Sequence, residues 1–189
     1  PTTTAWMYYS PAGESEEFRT VGRDFQAFVP LLEAEKIEYD LASEKTLQAF
    51  GTTGHASLKV GARSYDLVIL SPGLRNLEDS PADLLRDYLI RDGKIVSWVA
   101  PPDFVNGILT EDLRLLQESF GDRWVNSGPG SGFDKVRMFS PPAVVFDIAA
   151  GRARLFHPRR AFDGGRIVFL AHAGPAEPAG GTMTVAGGS

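Results

Sequence analysis

The sequence predicts a doubly wound, mostly parallel α/β sheet followed by a β-rich C-terminal appendage. Three observations carry that expectation. Leu67–Leu70 is a continuous apolar run rich in branched residues, the pattern of a strand covered on both faces. Leu84, Leu85, Tyr88 and Leu89 form one apolar helical stripe, with Asp87 and Arg91 outward and four apart. Ile95–Val99 is a second buried-strand run, and a strand, a crossover helix and a strand make the repeating unit of such sheets.

Taken in order, Thr3–Tyr9 is the first strand expected, apolar and aromatic and stopped by Ser10 and Pro11. A long helix follows, with Glu14, Glu16 and Glu17 near its start and Phe18, Val21, Phe25, Phe28, Val29 and Leu32 at helical spacing. Pro30 is expected to kink it. Tyr39–Ala42 reads as a short strand, Glu44–Phe50 as a brief helix ended by Gly51, and Thr52, Thr53 and Gly54 as loop. Ser57–Val60, a Gly61-Ala62 turn and Arg63–Tyr65 read as a hairpin. The central helix has Ser80 as its N-cap, Pro81 at its first position, Asp79 and Asp83 near its positive end, and Gly93 as a left-handed C-terminal cap. Thr110 caps a further helix in which Leu113, Leu116 and Phe120 align before Gly121. Beyond Gly128 the rhythm becomes short strands between Gly- and Pro-rich connections: Val136–Phe139, Val144–Ile148, Arg152–Phe156, Ile167–Ala171 and Thr182–Val185. The boundary is placed near Ser140, giving an α/β domain over 1–140 and a β-rich segment over 141–189, either an antiparallel appendage or the start of a β-sandwich.

The 189 residues suffice for a substantial core, and the net charge of -5 with no basic run argues against nucleic acid or an anionic membrane as partner. No apolar run approaches the roughly 20 residues of a membrane span. The absence of cysteine removes thiol nucleophiles, disulfides and thiolate metal sites together, and leaves the compartment open. Beginning at Pro1 and stopping after Gly187-Gly188-Ser189, the chain reads as a piece of a larger protein.

Side chains able to do chemistry are few. His55, His157 and His172 lack metal-ligand spacing and read as loop or surface residues. The loop Gly128-Pro129-Gly130-Ser131-Gly132 has the composition of a phosphate cradle, but a helix precedes it and a strand reading follows it, the reverse of a dinucleotide fingerprint. Ser71 follows a central strand but is trailed by Pro72 rather than by a helix, so the nucleophile elbow is missing. Glu14, Glu16, Glu17, Glu78, Asp79 and Asp83 gather at helix starts, where they stabilise the dipole. In an open α/β sheet a ligand binds beyond the strand C-terminal ends, here Ser10–Glu14, Ser43–Glu44, Ser71–Leu74 and Ala100–Asp103. No catalytic, cofactor-binding or metal residue is assigned.

The runs DFQAFVPLLEAEKIEYDLASEKTL and LKVGARSYDLVILSPGLRNLEDSPADLLRDYLIRDGKIVSW carry a resemblance. They resemble the class I glutamine-amidotransferase-like, flavodoxin-like domain of multidomain glycoside hydrolases, the α-L-rhamnosidase-like enzymes and, more distantly, the β-galactosidase trimerisation domain. The likeness covers Ala5–Val99, and it implies that RIVFLAHAGPAEPAGGTMTV opens a β-sandwich. True amidotransferases of this fold use a cysteine nucleophile, so the resemblance implies the fold and withholds the activity. What it implies is a non-catalytic structural or interaction module of a carbohydrate-active enzyme, with the other domains of that enzyme and homo-oligomer contacts as partners and with no cofactor. The competing expectation is a free-standing flavodoxin-like protein binding a small anionic ligand at the strand ends.

Overall fold

The computed structural model describes residues 1–128, 133–148, 155–157, 159–172 and 180–185. The chain forms two compact units, Pro1–Val29 with Leu41–Ser140, and Pro30–Asp40 with Pro141–Ser189.

The first unit contains α1 (Thr2–Met7), the part of α2 (Glu16–Ala34) up to Val29, α3 (Glu44–Phe50), β1 (Gly51–Gly54), β2 (Ser57–Val60), β3 (Arg63–Tyr65), β4 (Val68–Leu70) and β5 (Asn76–Leu77). It continues with α4 (Asp79–Ile90), β6 (Ile95–Ser97), β7 (Phe104–Val105), β8 (Ile108–Leu109), α5 (Asp112–Ser119), β9 (Trp124–Asn126) and α6 (Asp134–Phe139). The parallel unit expected around α4 is present: β4 pairs with β6, and β6 with β9, both in parallel. Among the described residues it stops at three strands, so the doubly wound, flavodoxin-like, mostly parallel sheet does not form. The other strands make an antiparallel β1-β2-β3 sheet and a mixed β5-β7-β8 sheet.

The strands expected to extend the parallel sheet fail for physical reasons. Thr3–Tyr9 forms α1 instead, burying Thr4 while Trp6 and Tyr9 stay exposed, so its apolar run has no sheet to cover it. A short apolar run does not by itself distinguish helix from strand. Tyr39–Ala42 has no strand partner among the described residues, and Leu41 is exposed. Thr52, Thr53 and Gly54, expected as loop, are zipped onto Ser57–Leu58-Lys59 as β1. Val136–Phe139, expected as a strand, is the inner face of α6, with Val136 and Phe139 buried three apart. The helical signals succeed elsewhere. Ser15 Oγ accepts the Phe18 N–H at 3.1 Å to start α2, which runs on through Pro30, and Ser43 Oγ accepts the Thr46 N–H at 3.1 Å to start α3.

α4 packs its stripe into the core of this unit. Leu85, Tyr88 and Leu89 are fully buried with Ile95, Leu113 and Trp124, and Leu58, Leu70 and Leu77 complete the cluster. Both helix ends differ from the sequence reading. The helix starts at Asp79 rather than after Ser80, because the Asn106 side chain, far away in sequence, accepts the Asp79 N–H at 3.1 Å. At the other end Asp92, not Gly93, takes the left-handed conformation, with φ 67°. The Asp92 N–H reaches the Leu89 carbonyl at 3.2 Å and the Gly93 N–H the Tyr88 carbonyl at 2.8 Å, a Schellman closure. Gly93 is required for a different reason: a Cβ there would lie 2.3 Å from the Tyr88 ring.

Among the described residues, the second unit contains the end of α2 and six strands: β10 (Val144–Ile148), β11 (Leu155–Phe156), β12 (Arg159–Phe162), β13 (Gly165–Val168), β14 (Ala171–His172) and β15 (Gly181–Val185). They pair two by two and antiparallel, β10 with β15, β11 with β14 and β12 with β13. The single strand expected over Ile167–Ala171 is thus split between β13 and β14, and residues 152–154 of the Arg152–Phe156 strand lie outside the described residues.

Leu85→Ala is expected to destabilise the chain by about 2–5 kcal/mol, and Asp87→Ala, on the exposed face, by roughly 0.5 kcal/mol or less. Gly93→Ala is expected to lower the urea midpoint as well, because the Tyr88 ring it would strike is held by the core. Equal midpoints for Leu85→Ala and Asp87→Ala would contradict the packing.

Candidate functional site

The strand C-terminal ends are the first place to look in a parallel sheet. Here they are filled. Trp98, directly after β6, packs at a tilt against Phe28 and Phe133 with ring centroids 4.9 and 4.8 Å away, and all three rings are buried. Gly73, in the loop after β4, packs against Val21 of α2, where a Cβ would lie 3.4 Å from the Val21 Cα. Apolar packing occupies the position of the expected crevice. Ser71 is half-buried there, and its carbonyl accepts the Leu74 N–H at 3.4 Å.

An open cleft of about 500 Å³ lies elsewhere in the first unit, lined by Thr3, Trp6, Met7, Asn76, Glu78, Asn106 and Gly107. Three segments build it. α1 is fastened by Thr4, whose buried hydroxyl oxygen accepts both the Arg75 N–H at 3.0 Å and the Asn76 N–H at 2.9 Å. That fastening carries Thr3, Trp6 and Met7 to the start of β5. The second segment is the β5–α4 connection, steadied by Glu44, whose carboxylate accepts the Thr3 hydroxyl and, at 2.6 Å, the Glu78 N–H. The third is the tight β7–β8 turn, in which Asn106 and Gly107 have φ of 51° and 75°, the pair of left-handed residues a two-residue hairpin requires. The Gly107 N–H donates to Asn76 Oδ1 at 2.8 Å, and Asn106 Nδ2 donates to Asp79.

Next to the cleft, Arg75 grips the Asp103 carboxylate through Nε and Nη2 and donates to the Tyr8 hydroxyl at 2.7 Å. The Asp103 bond raises the guanidinium pKa above its ordinary value. Arg75 is therefore neutralised by its own neighbour, and no cationic side chain lines the cleft.

The sequence-predicted candidates are not brought together. The His55 side chain is 85% exposed, with Nδ1 3.4 Å from Asp92. His172 ends β14 in the second unit and is exposed. Glu14 and Glu16 pair with Arg19 at 3.5 and 3.8 Å on the surface, and Asp83 pairs with Arg86. Of the glycine-rich loop, Gly128 is described and residues 129–132 lie outside the described residues. Among the described residues no three His, Asp or Glu side chains are grouped to hold a metal ion. Of the helix-start acids, Glu78 lines the cleft, Asp79 bonds its supporting turn and Glu44 braces both Thr3 and the Glu78 N–H. The residues missed by sequence reasoning are Trp6, Asn76 and Asn106. Asn106-Gly107 between Phe104-Val105 and Ile108-Leu109 is a legible hairpin signal, whereas nothing local marks Asn76 or turns Trp6 outward.

His157, in the second unit, is the buried exception. Its Nε2 is sealed from solvent, has no hydrogen-bond partner among the described residues and stands 3.8 Å from Glu38 Oε1. Arg159 holds the other Glu38 oxygen at 2.9 Å, and the Phe146 ring lies edge-on at 4.8 Å. Burial pushes the His157 pKa below its ordinary value; Glu38 opposes this, while Lys36 and Arg159 add to it.

No protein-family model, curated protein or solved structure matches the chain.

Two predictions follow from these contacts. Thr4→Val keeps the shape and strips the acceptor from two N–H groups, so it is expected to cost about 1–3 kcal/mol for each one left orphaned, measured by urea unfolding. His157 is expected by NMR to titrate below the range of an ordinary histidine, because it is buried. Its neutral form is favoured only in the folded chain, so its contribution to stability is intact above the unfolded pKa and is lost as pH falls through the lowered folded one. His157→Phe, which keeps a ring against Phe146, is expected to remove that part of the acid sensitivity in thermal melts.

Proposed function

We propose that the chain is a non-catalytic interaction module of a larger carbohydrate-active enzyme. The supporting observation is the second unit, where the described strands pair two by two and apolar side chains face outward. Val145, Phe162, Ile167, Phe169, Leu170, Met183 and Val185 are all substantially exposed, and every residue of β15 is exposed. Two-stranded ribbons are marginal by themselves and gain stability from further strands or a packed face. Open edges of this kind recruit other strands, and a neighbouring domain of the same enzyme is the occupant this reading assigns. The resemblance of Ala5–Val99 to domains carried inside glycoside hydrolases supplies the enzyme class.

The first unit supports the non-catalytic part. Glycoside hydrolysis takes two carboxyl groups across one sugar. Only Glu78 lines the cleft as a carboxylate, and Glu44 beside it is engaged by the Thr3 hydroxyl and the Glu78 N–H. Amide hydrolysis of the amidotransferase kind takes a thiolate, and the chain has no cysteine. Purified chain incubated with glutamine and with p-nitrophenyl α-L-rhamnopyranoside is expected to turn over neither. Turnover abolished by replacing one residue of this chain would overturn the reading.

A further inference from the structure

We propose that the cleft of Thr3, Trp6, Met7, Asn76, Glu78, Asn106 and Gly107 is a binding site for a neutral saccharide, with a pyranose ring stacked on Trp6. The inference deepens the module reading and rests on it in one respect, that the ligand is held and not cleaved.

The chemistry of the lining selects the ligand class. Trp6 is 67% exposed, whereas the other two tryptophans, Trp98 and Trp124, are 7% and 1% exposed. Its ring is braced by the edge of Tyr9 at 5.5 Å, and Met7 adds a second apolar surface. The face of an indole is electron-rich, and the C–H bonds on one face of a pyranose present the matching weakly positive apolar surface. A flat, apolar ligand would leave the rest of the lining unused, because it holds Thr3, Asn76, Glu78 and Asn106.

Asn76 is the polar group that points to a ligand. It is 4% exposed, and its Oδ1 is fixed by the Gly107 N–H at 2.8 Å, which sets the orientation of the carboxamide. Its NH₂ group has no partner among the described residues, and it belongs to the cleft lining rather than to the sealed interior. A nearly buried amide donor left in this way is met by an acceptor from a ligand or by water. The Glu78 carboxylate, also without a hydrogen-bond partner among the described residues, supplies an acceptor. A preset donor and an acceptor beside an aromatic face are the groups that neighbouring sugar hydroxyls need, since each hydroxyl both donates and accepts. The lining holds one carboxylate and no cation, which disfavours phosphate, carboxylate and other anions.

The test uses the whole chain, titrated with methyl α-L-rhamnopyranoside, methyl β-D-galactopyranoside, methyl β-D-glucopyranoside and their short oligosaccharides. Intrinsic tryptophan emission is the readout, because Trp6 is the exposed indole, and calorimetry follows the variants. A saturable change with at least one glycoside, at a dissociation constant on the order of millimolar or tighter, is expected. Trp6→Ala is expected to weaken that binding roughly tenfold or more with an unchanged melting temperature. Asn76→Asp keeps the acceptor for the Gly107 N–H, removes the donor, and is expected to weaken binding similarly. The proposal is overturned if no glycoside gives a saturable signal, or if binding persists undiminished in Trp6→Ala. It is equally overturned if tetramethylammonium or inorganic phosphate binds and the glycosides do not. Cleavage of a bound glycoside, assayed in the same samples, would overturn the non-catalytic reading while leaving the saccharide site standing, so the two failures are distinguishable.

Discussion

Trp124 is the point through which the first unit is held together. It is buried in β9 at the end of the three parallel strands, and its indole N–H donates to Ser97 Oγ of the neighbouring β6 at 2.7 Å. A tryptophan buried without a partner for that N–H would carry the cost of a lost hydrogen bond, about 1–3 kcal/mol. With Ser97 in place the largest ring of the core is used in full, and Leu85, Tyr88 and Leu89 of α4 and Leu113 of α5 pack with it. The Ile95 N–H to the Arg123 carbonyl, at 2.8 Å, ties the same two strands at their starts. A single polar contact between side chains thus permits an otherwise apolar assembly of strands and helices.

The narrowness of that sheet decides where function can sit. Three strands leave short C-terminal ends, and the Phe28–Trp98–Phe133 rings are enough to cover them. The open surface of the unit lies instead at the small β5-β7-β8 sheet, where α1 and the Asn106-Gly107 turn stand beside it. The side-chain oxygens of Asn76 and Asn106 are fixed there by the Gly107 and Asp79 N–H groups, and rigid placement of a few polar groups beside an apolar face is what orients a small ligand.

How much of this was legible depends on the range of the interaction responsible. The α4 stripe, the Ser57–Tyr65 hairpin, the α3 helix and the pairing of Val68–Leu70 with Ile95–Ser97 follow from local spacing and continuous apolar runs, and all are present. The failures are where a distant residue makes the choice. Asn106 supplies the bond that moves the start of α4, and Thr4 reaches Arg75 and Asn76 to hold α1 as a helix. The site was the least legible part, since Trp6 and Asn76 meet only after those long-range bonds have formed. The Asn106-Gly107 turn is the part that its own dipeptide announced.

The anchoring of α1 by Thr4 has a consequence for how this surface can diverge. Hydroxyls inside the helix hold the segment to the backbone at the start of β5, Thr3 donating to the Asn76 carbonyl at 3.3 Å and Thr4 accepting the Arg75 and Asn76 N–H groups, and backbone atoms are the same whatever side chains they carry. Trp6, two positions further on, takes no part in that attachment and faces outward. Attachment and surface chemistry are therefore encoded by different letters of one short segment. Position 6 is open to change the character of the cleft over generations while the same two threonines keep the helix where it is.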